Sequence, residues 1–86
     1  MSNATYYYYE QRDGTVLCTT GLDPFLCNDS GVRRAFRMDG DRLKCIHDND
    51  SQPWGYHLGR EEGMLIILRA EEPVDSKSLL DPDDFY

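Results

Sequence analysis

Tyr6-Tyr7-Tyr8-Tyr9-Glu10-Gln11-Arg12-Asp13-Gly14-Thr15-Val16-Leu17-Cys18-Thr19-Thr20 is the stretch on which the fold turns. Two runs rich in aromatic and β-branched residues flank Arg12-Asp13-Gly14, and such residues favour extended backbone. Asp-Gly between runs of this kind is a strong hairpin signal, because a type I′ turn needs positive φ at both central residues. Residues 6–11 and 15–20 are therefore expected to pair as antiparallel strands.

The same pattern recurs downstream. Asp39-Gly40-Asp41 separates residues 32–38 from residues 42–47, where Leu43 and Cys45 alternate with Arg42, Lys44 and Ile46, so one face is buried and the other wetter. A third hairpin is expected between residues 54–60 and 64–70 across Glu61-Glu62-Gly63, with Trp54, Tyr56 and Leu58 on one face. Met64-Leu65-Ile66-Ile67-Leu68 is apolar at every position, as in a strand buried on both sides, and is expected near the centre of the core. The expected fold is mainly β: three antiparallel hairpins in a small sheet or partly open barrel. One short helix is the alternative, around residues 32–38, where Val32, Ala35 and Phe36 also match a helical face behind a Ser30 cap, or around residues 76–80.

With 86 residues, of which 40% are hydrophobic and 29% charged, the chain has the composition of one small globular domain. Residues 1–70 are assigned to it. Residues 1–4, Met1-Ser2-Asn3-Ala4, resemble a cloning remnant and enter no functional argument. The longest apolar run, Met64 to Leu68, is far shorter than the roughly 20 residues of a membrane helix, so no membrane span is expected. Three cysteines, an odd number without a close pair, and an N-terminus lacking a signal peptide point to a reducing cytoplasm.

The net charge of −7 is unevenly distributed. Residues 71–86 carry Glu71, Glu72, Asp75, Asp81, Asp83 and Asp84 against Lys77, a net −5 that leaves −2 for residues 1–70. They form an acidic, loosely ordered tail with no continuous apolar period. Within the body, Arg33, Arg34, Arg37, Arg42 and Lys44 concentrate five of the nine bases.

Several constellations are chemically suggestive. Tyr6 and Tyr8, joined by Trp54 and Tyr56, suit an aromatic contact surface, although a strand rich in tyrosine is also an ordinary structural choice. Asp83, Asp84 and Phe85 suit a docking segment in which carboxylates steer and an aromatic anchors. These last few residues are similar to the acidic, aromatic-ended tips of bacterial single-stranded DNA-binding proteins, without their terminal apolar order, and no family follows from them. The basic segment beside Phe36 is the kind of surface nucleic acid uses, opposed by the overall negative charge and gated if the acidic tail folds onto it.

Cys18, Cys27, Cys45, His47 and His57 are zinc-ligand types at the wrong spacing, so a small zinc-stabilised domain is a minor alternative and neither cofactor nor metal is expected. His47 beside Asp48 and Asp50, and His57 near Glu61 and Glu62, are the pairs from which general acid–base chemistry is built, but no nucleophile elbow, P-loop or dinucleotide fingerprint accompanies them. The function expected from these features is a small acidic non-catalytic module that binds a protein with a basic surface, of inhibitor or immunity type by analogy of size and charge. A nucleic-acid module is the alternative. Exposed strand edges would also permit pairing between copies.

Overall fold

The computed structural model describes residues 5–50 and 53–70. Within them four strands form one antiparallel sheet: β1 (Tyr7–Gln11), β2 (Val16–Thr19), β3 (Val32–Asp39) and β4 (Arg42–Asp48), in the order β2-β1-β3-β4. Two hairpins thus lie side by side with β1 and β3 in the middle. The mainly β expectation holds.

The first hairpin has the predicted register, with Tyr8 opposite Cys18 and Glu10 opposite Val16. Its turn differs from the type I′ form. Gln11 N–H donates to Thr15 O at 2.8 Å and Gly14 N–H to Gln11 O at 3.0 Å, which closes a three-residue loop. Gly14 takes φ 93° while Asp13 stays at negative φ, so only the glycine needs the left-handed region. Asp13 instead caps the turn, its Oδ1 accepting from Thr15 N at 2.9 Å. The second hairpin closes tightly through Gly40 and Asp41, with Asp39 opposite Arg42.

Segment 32–38 is strand and not helix. Its backbone is paired on both sides, with β1 and with β4, and two full ladders outweigh a helical period of three residues. A different helix, α1 (Pro24–Cys27), occupies the preceding loop. Asp23 begins it, accepting from Phe25 N and Leu26 N, and Pro24 fits the first turn where no donor is needed. Residues 76–80, the other expected helical turn, lie outside the described residues.

The third hairpin does not form. The apolar run expected as the central strand belongs to a helix, α2 (Arg60–Arg69). Glu61 and Glu62 in its first turn and Arg69 in its last favour the helix dipole. Gly63 and Ile66 are buried, with Ile67 and Ala70 packed against the same core. That spacing follows one helix face, and a strand apolar on both sides would have needed a second covering layer.

Residues 54–58 do run beside β4, but as its outer neighbour rather than as half of a hairpin. Gly55 N–H donates to Cys45 O, Cys45 N–H to Tyr56 O and Leu58 N–H to Leu43 O, each at 2.8 Å. The β4 edge expected to be open to a second copy is thereby occupied. At the opposite edge, Val16 of β2 bridges Ala70.

Each face of the sheet has its own core. On the α2 side Tyr8, Val16, Cys18, Phe36, Leu43, Cys45, Leu58 and Ile66 pack together. On the α1 side Tyr9, Cys27, Val32 and Ala35 do so. The Tyr9 hydroxyl lies 2.9 Å from Thr19 Oγ1 and accepts from Asp23 N at 3.0 Å, which ties the start of α1 to the sheet.

Gly63 distinguishes a helix from a turn at this position. A Cβ added there would meet only Leu43 Cγ, at 3.9 Å, an ordinary contact. Gly63→Ala should stabilise the protein by about 0.5–1 kcal/mol through helix propensity, read as a higher urea midpoint. A lower midpoint would contradict the helical setting.

Candidate functional site

The structure disperses the basic segment. Arg34 turns to the α2 side, where its Nε donates to Glu10 Oε1 at 2.7 Å and its guanidinium reaches Glu62 at 3.6 Å. The Tyr56 hydroxyl stands 3.5 Å from Arg34 Nη1 and donates to Asp48 Oδ2 at 3.3 Å. The guanidinium also lies over the Phe36 ring, 5.1 Å from its centroid. Burial opposes the Arg34 charge, but the bonds to Glu10 and Tyr56 outweigh it and hold the guanidinium above its ordinary value. Arg34 is thus structural and closed to a ligand. Arg33 lies 3.4 Å from Asp50, which Arg12 also holds at 2.6 Å.

Arg37 and Lys44 behave differently. They are cross-strand partners on β3 and β4, on the face opposite α2, and neither forms an ion pair among the described residues. Tyr7 is the partner of Arg37 on β1, and His57 bridges Lys44 from the outer segment. One row across the sheet therefore reads Tyr7, Arg37, Lys44, His57. His57 Nε2 is 2.8 Å from Asp39 Oδ2. That bond first, and the nearby Arg37 and Lys44 charges after it, hold the Asp39 carboxyl below its usual range. Arg42 is exposed beside the hairpin turn.

Four aromatics were expected to form one platform, and they do not meet. Tyr8 is buried in the α2-side core, at 7% exposure, and Tyr6 lies partly exposed at the start of β1. Tyr56 points to the Arg34 cluster. Gly55, at φ 92°, breaks the alternation of the outer segment, and Trp54 turns to the opposite face against His47, with ring centroids 4.8 Å apart. Its Nε1 donates to Asp48 O at 3.1 Å. Trp54, Arg37, Lys44 and Ile46 line a shallow concavity of about 340 Å³. Asp83, Asp84 and Phe85 lie outside the described residues.

The zinc-type side chains are also separated. Cys18 and Cys45 lie in one core and Cys27 in the other. No group of three or more His, Cys, Asp or Glu side chains is placed to hold a metal among the described residues. Burial raises all three thiols above their ordinary value, which keeps them protonated and poorly nucleophilic. His47 is bonded to Asn49 Oδ1 at 2.8 Å, and His57 takes Asp39, so neither histidine pairs with the carboxylates expected from its sequence neighbourhood. No helix among the described residues is long and apolar enough to cross a membrane.

A surface that sequence patterning missed is the outer side of α2. Met64, Leu65 and Leu68 are 54%, 53% and 72% exposed, forming an i, i+1, i+4 stripe. A hollow of about 500 Å³ opens beside it, lined by Arg60, Glu61, Met64 and Leu65. The signal was the length of the apolar run: one helix cannot bury five consecutive apolar residues against a single sheet.

Two measurements check these assignments. Arg34→Ala leaves Glu10 buried without its cation and should cost about 3 kcal/mol, whereas Arg33→Ala at the surface should stay within about 0.5 kcal/mol, both read from urea unfolding. The Tyr8 phenol is pushed from 10.0 to about 12, chiefly by burial and then by Cys18. Its neutral form is therefore favoured by folding, so the stability it contributes is complete below pH 10 and lost as pH rises towards 12. The Tyr8→Phe variant should lose less stability than the parent between about pH 10 and pH 12.

Comparisons with protein-family models, with curated proteins and with solved structures found no match to this chain.

Proposed function

We propose that this chain is a non-catalytic protein-binding module that docks through the outer face of α2 onto a partner with a basic surface. The observation that carries this reading is the exposure of Met64, Leu65 and Leu68 on one side of a helix whose other side holds the core. Contiguous apolar surface of this kind is costly to leave in water and marks interaction sites. Anchors at i, i+1 and i+4 suit a helix laid into an apolar groove.

Charge complements the apolar stripe. Glu61 stands beside it and makes no ion pair among the described residues, while the chain as a whole carries −7. A partner with cations around an apolar groove would meet both features, and long-range attraction would speed their encounter. Occluding a basic site on such a partner is the inhibitor form of this activity.

The test uses the full chain and a Leu65→Ser/Leu68→Ser variant. Both side chains are exposed, so the variant should fold, with the same circular dichroism as the parent. Each truncation removes roughly 1–1.5 kcal/mol of burial on binding, so affinity for a partner recovered with the parent should fall by about 30-fold to 150-fold. A partner held equally by both proteins would end the α2 reading. Binding that does not weaken with salt would remove the basic-partner half of it.

A further inference from the structure

We propose that the open half of the sheet, on the side away from α2, binds single-stranded nucleic acid, with Arg37 and Lys44 on phosphates and Trp54 stacked on a base. The site shares no residue with the α2 surface, so the two readings stand or fall separately.

Three observations carry it. First, Arg37 and Lys44 are adjacent on neighbouring strands and, among the described residues, unpaired by carboxylates, as are Arg42 and Arg69, whereas Arg12, Arg33, Arg34 and Arg60 each have one. Two neighbouring cations left without counterions repel one another, and a ligand phosphate would relieve that repulsion. Asp39 is the carboxylate near them, and His57 holds it at 2.8 Å.

Second, Trp54 is fixed yet open. Its indole N–H is bonded to Asp48 O and its ring packs on His47, while 44% of the residue stays accessible. A ring already held in place loses little entropy when a base stacks on it. Third, the cations and the indole line one concavity, with Ile46 between them. Cations tracking a backbone beside an aromatic platform match single strands, whose bases are free to stack, better than duplex, whose bases are covered.

The body's charge permits this even though the chain is acidic. Residues 1–70 carry only −2, and several of their carboxylates are paired with arginines on other surfaces. The local field at Arg37 and Lys44 is set by these two groups together with Asp39 and His57.

Trp54 is the single tryptophan of the chain, so its fluorescence reports on this site alone. Titrating the full chain with an oligodeoxythymidine of about eight nucleotides at low salt should give saturable quenching. Two phosphate contacts on a single strand predict a slope of about −1.4 in log affinity against log salt, about 25-fold weaker binding for a tenfold rise in salt. An Arg37→Gln/Lys44→Gln variant, checked by circular dichroism, should bind at least about tenfold more weakly with a slope near zero. Should that pair unfold the sheet, the single variants carry the test, each lowering the slope by about 0.7.

Absence of quenching at low salt, or quenching that neither salt nor loss of the two charges alters, would overturn the proposal. Heparin, a polyanion without bases, separates stacking from charge: equal quenching by heparin would overturn it as well.

Discussion

Glu10 and Arg34 face each other on the two central strands, and the rest of the architecture depends on their meeting. Both are largely buried, and either one alone on that face would leave an uncompensated charge under α2. The β1–β3 register that joins them also sets Tyr8 against Phe36. Slipping β3 by one residue would send Arg34 and Phe36 together to the other face, away from Glu10 and Tyr8, a double penalty that fixes the alignment. The irregularity between Glu10 and Gln11 then opposes Gln11 to Val32, which places Arg33 outside the ladder and near Asp50. One ion pair thus explains why adjacent arginines have opposite roles.

From this register follows a shortage of cover. The sheet has two faces, and the described chain supplies one ten-residue helix for the first and one four-residue helix for the second. α2 is about 15 Å long, comparable with the width of four strands at about 4.8 Å spacing, so it can roof one face but cannot itself be roofed. Among the described residues nothing covers its outer side. On the other face α1 seals the end around Tyr9, Val32 and Ala35, and no other described element covers the end around Arg37, Lys44 and Trp54. The two candidate surfaces are what these few layers leave uncovered.

The parts of this arrangement that could be foreseen were those governed by local turn chemistry. Gly14 and Gly40 announced two hairpins because each turn needs a glycine where other residues are strained. The third glycine of the series, Gly63, has no such role, and its neighbours Glu61 and Glu62 begin a helix instead. Five consecutive apolar residues carry no period, which is why Met64 to Leu68 read as a strand buried on both sides, and the spacing that makes it a helix lies in Gly63, Ile66, Ile67 and Ala70. The candidate sites were legible in type but not in place. Arg34, Arg37 and Lys44 read as one basic segment, yet alternation sends Arg34 to one face and the other two to the opposite one. Trp54 left the expected company of Tyr56 through the single φ of Gly55.

Sorting by face also separates two kinds of chemistry that the chain holds close together in sequence. The α2 side offers apolar area next to Glu61, with Arg34 and Arg60 there already committed to carboxylates. The opposite side offers, among the described residues, two cations without a carboxylate next to a fixed indole. A protein groove with basic rims suits the first and repels the second, and a polyanion does the reverse. The core of the sheet lies between them, so each surface can change without repacking the other, as expected for sites that share no partners. The Glu10–Arg34 pair sharpens that separation, because it holds one arginine in the sheet beneath α2 instead of leaving its charge at the surface.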